Sequence, residues 1–272
     1  MAHASNLYPA LTKSYKGLFP FKIGTTSFIY PDHYIPNVKM LGPYLDEIEL
    51  LLFESKGPDA LPSGRVIDKL ARLADDFGLT YNVHLPTDVS ISDPNPANQR
   101  HAVDTTMRVM KLVNPLAPSV LTLHVPYNEV SLDAHHVKIW RNRVYGNLEK
   151  IRASNFYKHT VSIETLDYKF ELIEDIVFEL DLTICLDLGH LIVSGCDIVE
   201  VFNRYSFKTD LIHLHGVENR DDHKALDRLP EKFVEPVVWI LKRFTGVVSL
   251  EIFSFENLAA SLNFLENCWE DT

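Results

Sequence analysis

Short apolar runs recur along the chain at intervals of roughly 25–40 residues, the length of a strand plus the helix that returns it. Eight such runs begin near Phe21 (FKIGTTSF), Glu47 (EIELLLFE), Thr80 (TYNVHLP), Val120 (VLTLHVP), His159 (HTVSIET), Leu182 (LTICLDLGH), Leu211 (LIHLHGV) and Gly246 (GVVSLEIF). Their apolar residues are nearly continuous, as expected of strands covered on both faces in a parallel sheet. Between them the period becomes helical. Ile67, Leu70, Leu73, Ala74 and Phe77 fall on one helical face, and Val103, Met107, Met110 and Leu112 on a second. Val137, Trp140, Val144, Leu148 and Ile151 form a third, and Phe233, Val237, Ile240 and Leu241 a fourth, with Pro236 near a helix start or kink. Strand–helix alternation repeated eight times implies α/β architecture and a closed (β/α)8 TIM barrel. The structural alternative is a doubly wound open sheet, but no glycine fingerprint follows the first run to support it. The barrel is expected over residues 21–272 as a single domain, with residues 1–20 an N-terminal extension lying against it.

Composition narrows the function classes. With 46% hydrophobic and 23% charged residues, the 272-residue chain is an ordinary globular protein able to bury one large core. Its net charge of -11, with no basic run interleaved with aromatics, disfavours nucleic acid as a partner. Cys185, Cys196 and Cys268 are too few and too scattered for a disulfide framework. Met1 to Lys16 does not read as a secretory signal, and no apolar run approaches the ~20 residues of a membrane span. The expectation is a cytoplasmic protein without a membrane partner; oligomeric state is left open.

The candidate chemistry sits where the strands end. The third run ends at His84, the fourth at His124 and the fifth at Glu164. The sixth carries Asp187 and His190, the seventh His213 and His215, and the eighth Glu251, with Asp221, Asp222 and His223 just past the seventh. In a (β/α) barrel the active site is built at these C-terminal strand ends. A lone His there is usually a hydrogen-bonded structural residue, and a lone carboxylate often caps the next helix. Six strands in succession ending in His, Asp or Glu go beyond capping, because caps favour Ser, Thr, Asp and Asn rather than His. Converging buried carboxylates repel one another unless a cation neutralises them. A mixed nitrogen and oxygen ligand set without thiolate suits zinc, with manganese or iron as alternatives. Cys185 reads as core filling and Glu54 as a solvated loop carboxylate; His33, His101, His135, His136 and His159 read as surface or structural residues. His215 is expected beside His213, supporting a ligand or contacting substrate.

The ordered set His84, His124, Glu164, Asp187-x-x-His190, His213, Asp221-x-His223 and Glu251 resembles the AP-endonuclease and xylose-isomerase-like TIM barrel superfamily. In the endonuclease branch, the resemblance implies up to three ions: His84 and His124 on the first, Asp187, His213 and Glu251 on the second with Glu164 bridging, and His190, Asp221 and His223 on the third. Within the superfamily, the segments FKIGTTSFIYPDHYIPNV, DEIELLLFES, YNVHLPTDVS, CLDLGHLI and IHLHGV with its following DDH are similar to cobamide-remodelling phosphodiesterases. That similarity implies hydrolysis of the phosphoribosyl bond in a cobamide nucleotide loop, giving cobinamide phosphate and the riboside of the lower ligand. Glu164 and Glu251 are then the catalytic candidates that orient water, and His215 and Phe253 the substrate-binding ones. Phe28, Tyr30 and Tyr127 join Phe253 as candidates for an apolar shelf beneath the corrin, although barrel packing explains them equally well. Three rivals share features of the set: a sugar isomerase or epimerase using one ion on Glu164, Asp187, His213 and Glu251; an endonuclease acting on abasic DNA; and a corrinoid carrier without turnover. His84, His124, Asp221 and His223 favour hydrolysis, because a one-ion isomerase does not need them.

Overall fold

The computed structural model describes residues 8–57, 60–154 and 160–270. His159 and the first seven residues of the N-terminal extension lie outside them. The eight apolar runs form the strands of one closed parallel barrel: β1 (Lys22–Thr26), β2 (Glu47–Leu51), β3 (Thr80–His84), β4 (Val120–Leu123), β5 (Thr160–Glu164), β6 (Thr183–Asp187), β7 (Thr209–Leu214) and, after a short hairpin, β10 (Val247–Leu250). The hairpin pairs β8 (Gly216–Glu218) antiparallel with β9 (Asp221–Lys224). The helices are α1 (Tyr34–Leu41), α2 (Gly64–Phe77), α3 (Pro96–Val113), α4 (Ala134–Arg152), α5 (Glu174–Glu179), α6 (Leu188–Val193), α7 (Ile198–Tyr205), α8 (Glu231–Leu241) and α9 (Phe255–Glu270).

Three of the helical faces read from the sequence pack as such, whereas in α3 Val103 and Met110 are buried together with Val109 and Val113, and Met107 and Leu112 are half-buried. Ile67, Leu70 and Leu73 of α2 are buried, as are Trp140, Val144, Leu148 and Ile151 of α4 and Val237, Ile240 and Leu241 of α8. Pro236 lies inside α8. Leu11, Tyr15 and Phe19 of the extension join the main core, and the Tyr15 amide donates to the Tyr44 carbonyl.

Register brings the strand ends to one level. Leu51 pairs with His84, His84 with Thr122, Asp187 with His213, and His213 with Ser249. Side chains alternate along a strand, so residues two apart share a face. Cys185 lies two residues before Asp187, Leu211 two before His213, and Val120 and Val247 four before His124 and Glu251. These four form a small apolar cluster of their own that fills the barrel beneath the polar strand ends. No helix among the described residues is long and apolar enough to cross a membrane.

Candidate metal centre

Among the described residues, ligand-competent atoms converge in four groups, each lying within 4.8 Å; one joins Glu164 and His213 to the Cys185 thiol, and the three others, of nitrogen and oxygen alone, stand at the C-terminal mouth. His84, His124 and Glu164 make the first, Glu164, Asp187, His213 and Glu251 the second, and His190, His215 and His223 the third. Glu164 belongs to the first two, one oxygen facing each: Oε2 lies 3.2 Å from His84 Nε2 and 2.8 Å from His124 Nε2, while Oε1 lies 3.6 Å from His213 Nδ1.

Hydrogen bonds from behind decide which ring nitrogen faces the centre. A carbonyl oxygen only accepts, so the nitrogen that meets it carries the proton. His84 Nδ1 donates to the Leu85 carbonyl at 3.0 Å, His190 Nδ1 to that of Thr165 at 3.2 Å, and His223 Nδ1 to that of Glu251 at 2.9 Å. Each ring keeps Nε2 for the mouth. His213 is held the other way round: Nε2 lies 2.9 Å from Glu49 Oε1, and Nδ1 faces the centre. An outer acceptor that fixes tautomer and orientation is characteristic of metal-binding imidazoles.

The fit to cations rests on the polar atoms left over. His213 Nδ1 and Glu251 Oε2 approach to 3.2 Å, yet both are buried without a hydrogen-bond partner. His84 Nε2 and His124 Nε2 face each other at 3.2 Å. A tetrahedral ion with bonds of about 2.0–2.1 Å spaces its ligand atoms roughly 3.3–3.4 Å apart, close to two of the three separations in the first group, while His124 and Glu164 stand closer, at hydrogen-bond distance. Burial opposes ionisation of Glu164, but His124 and His213 outweigh it and hold the carboxyl well below its usual range. Burial likewise opposes ionisation of Asp187 and Glu251; His215 and His190 outweigh it for Asp187, and His213 for Glu251. The result is three buried negative charges in one mouth. Without metal, protons on the rings compensate them. Burial disfavours charged His124 and His213, but Glu164 raises the first, and the carboxylates of Glu49, Glu251 and Glu164 raise the second.

Asp187 also caps α6, accepting from the His190 amide at 2.7 Å. Capping and convergence on the centre are therefore the same placement. Of the two roles read from the sequence for His215, ligand support and substrate contact, the structure shows the first and departs from the second. Its ring is fully buried, Nε2 lies 3.1 Å from Asp187 Oδ1, and Nδ1 accepts the His223 amide at 3.0 Å. Burial lowers the pKa of this imidazole, but Asp187 outweighs it and raises it to about 9. Both nitrogens are engaged, Nδ1 lying also 3.4 Å from the Gly216 carbonyl. The ring sits on Gly189, where a Cβ would lie 1.9 Å from His215 Cε1.

Asp221 is a second difference. Its side chain is 68% exposed and pairs with Lys224. Residues alternate along β9, and Asp222 takes the inward place, 3.8 Å from His190 Nε2 and 3.9 Å from His223 Nε2. Tyr30 is buried, bonded to the Pro9 carbonyl and stacked on Phe255, so it packs the barrel rather than forming a shelf. Tyr127 is half-buried, its hydroxyl donating to the Ser131 carbonyl. Phe28 and Phe253 are exposed at the rim, and Phe253 lies 5.3 Å from the His223 ring. Glu54 is exposed. Cys185 is buried beside Glu164 and His213, and burial pushes its thiol up, away from the thiolate. His33, His101 and His135 are exposed and His136 half-buried on the Asp133 cap. Sequence reasoning missed Glu49, fully buried behind His213; the signal was the pair Glu47 and Glu49 within an otherwise apolar strand.

The family model described as xylose isomerase-like TIM barrel matches residues 38–268. No curated protein matches the sequence. Among solved structures, the chain is similar to a D-tagatose 3-epimerase-like protein at 19% identity and TM-score 0.77, covering 92% of this chain and 98% of that one. It is also similar to the IOLI protein with a zinc atom, at 16% identity and TM-score 0.71, over 92% and 97% of the two chains. Endonuclease IV from Thermus thermophilus matches at 16% identity and TM-score 0.69, over 92% and 100%. At such identities the likeness speaks for the fold alone. The family match runs from α1 to α9 and takes in every strand end that carries a candidate ligand: the chain belongs to the xylose isomerase-like TIM barrel family.

Proposed function

We propose that this protein is a metal-dependent phosphodiesterase that cleaves the phosphoribosyl bond in the nucleotide loop of cobamides, releasing cobinamide phosphate and the lower-ligand riboside. The observation that carries the hydrolytic part is Glu164, whose two oxygens face two separate ligand groups. His84, His124 and Glu164 would hold one ion, Glu164, Asp187, His213 and Glu251 a second, and His190 and His223 with Asp222 a third. Zinc suits these ligands, with manganese or iron as alternatives. Divalent cations bound there supply acidified water and neutralise charge on a phosphoryl group. Glu251 Oε2, buried and without a hydrogen-bond partner, would orient the attacking water. Water oxygen bonds to phosphorus, the phosphorus–oxygen bond to ribose breaks, and the ribose oxygen takes up a proton.

The rim supports a substrate with a broad apolar body. Phe28, Val130, Leu132 and Phe253 are exposed on loops that follow β1, β4 and β10. A cavity of about 690 Å³ opens between the β4 and β5 loops, where Tyr127, Val130 and Leu132 share the lining with Glu129, Asp167 and Lys169. Exposed apolar side chains grouped on one face mark binding surfaces. A free ketose or a phosphate backbone gives them nothing to cover, whereas a corrin does.

The second reading is a sugar epimerase using one ion on Glu164, Asp187, His213 and Glu251. The likeness to the D-tagatose 3-epimerase-like structure favours it. One assay separates the readings. Metal-replete protein is offered a coenzyme B12-type cobamide, a ketose and an abasic-site duplex. Release of cobinamide phosphate is expected. An untouched cobamide with an epimerised ketose or nicked DNA would overturn the proposal.

A further inference from the structure

We infer that Glu49 is a positioning residue: its carboxylate fixes the His213 ring with Nδ1 toward the ligand group and ties that ring to the strand that carries Glu251. The inference rests on the metal-centre reading of the mouth. Glu49 lies on β2, three strands round the barrel from His213 on β7, so their contact spans the interior. Both side chains are fully buried. Glu49 Oε1 lies 2.9 Å from His213 Nε2, and Oε2 accepts from Ser249 Oγ at 2.6 Å. Ser249 pairs in register with His213 and sits two residues before Glu251 on the same face. One carboxylate therefore joins a ring and the neighbouring strand that both face the second ligand group.

The chemistry requires such a group. An imidazole that gives a cation its Nδ1 lone pair must carry its proton on Nε2. At full burial that N–H costs free energy unless it is accepted. Among the rings of the mouth with an outer acceptor, His84, His190 and His223 use backbone carbonyls, and His213 alone uses a carboxylate. His213 is also the one of these four whose Nδ1 faces the centre. A backbone carbonyl comes with the strand, whereas Glu49 has to reach across the barrel, so this orientation depends on one side chain. Outer-shell carboxylates of this kind also make the ring a stronger donor to metal.

Zinc titrated against metal-stripped protein with a competing chelator provides the test, without substrate. Glu49→Gln is expected to weaken one ion per chain by about 10–100-fold. Nitrogen-15 spectra of the zinc-loaded wild type should show His213 protonated at Nε2, and that proton should exchange faster in the variant. Where Glu49→Gln fails to fold, Ser249→Ala carries the test, since it removes only the hydroxyl on the far oxygen; the same direction with a smaller loss is expected. Zinc affinity within about two-fold of wild type in the folded variants, or His213 bound through Nε2, would overturn the inference. A wild type that binds no zinc defeats the metal-centre reading as well. Zinc loss in the variants, together with a zinc-loaded wild type that leaves the cobamide untouched, defeats only the substrate reading.

Discussion

Gly189→Ala tests how tightly the second and third ligand groups are coupled. Gly189 does not adopt a left-handed conformation; it is glycine for space. A methyl there would stand 1.9 Å from His215 Cε1, 2.4 Å from Nδ1 and 2.5 Å from Nε2. The ring has to leave, and two hydrogen bonds go with it, one to the Asp187 carboxylate and one from the His223 amide. A bond to a charged group contributes about 1.5–3 kcal/mol and a neutral one about 1 kcal/mol. Alanine in place of glycine in a helix returns at most about 1 kcal/mol. The net cost is therefore at least about 1.5–3 kcal/mol, or a fall in Tm of roughly 3–12 °C for a domain of this size. Scanning calorimetry of metal-stripped protein measures it. A double-mutant cycle sharpens it: His215→Ala vacates the space, so Gly189→Ala made in that background should cost nothing and report helix propensity directly. An unchanged or raised Tm for Gly189→Ala alone would refute the reasoning, because propensity alone predicts that outcome.

Glu251→Gln removes a carboxylate whose Oε2 faces the second group, and turnover should fall by at least about 10²-fold in a steady-state assay; full activity would contradict a metal mechanism. Asp222→Asn should weaken the third ion in elemental analysis and chelator competition while Asp221→Asn leaves it unchanged; the reverse order would restore the motif reading over the geometry. The rings of His124 and His213 have raised folded pKa values, so their stabilisation of metal-free protein is full below the unfolded value of about 6.5 and is lost as pH rises through the folded ones. Metal must displace those protons, so zinc affinity should climb with pH above neutrality, and titrations in buffers of different ionisation enthalpy should show proton release; a pH-independent affinity would refute it.

The barrel was legible because burial on both faces writes a strand as a continuous apolar run, and eight such runs admit one closed parallel arrangement. The mouth was legible because residues at strand ends share one rim whatever their distance in sequence; His84 and Glu164 meet across 80 positions for that reason. What stayed hidden depends on local turns and on depth. Asp221 and Asp222 are both acidic, and only the pleat of β9 decides between them. That hairpin carries Asn219 and Arg220 at φ 55° and 67°, without the glycine that announces such a turn, so it reads as loop. Glu49 escaped for the opposite reason. It sits mid-strand, in a run whose apolar neighbours mark it as core, and nothing local distinguishes a carboxylate that reaches across the barrel from one that faces solvent. Convergence at the rim can be counted from sequence, whereas support from behind requires knowing which strand stands opposite. The candidate ligands and the residues that hold them in place are thus legible to different degrees, and any metal chemistry of this mouth would depend on both.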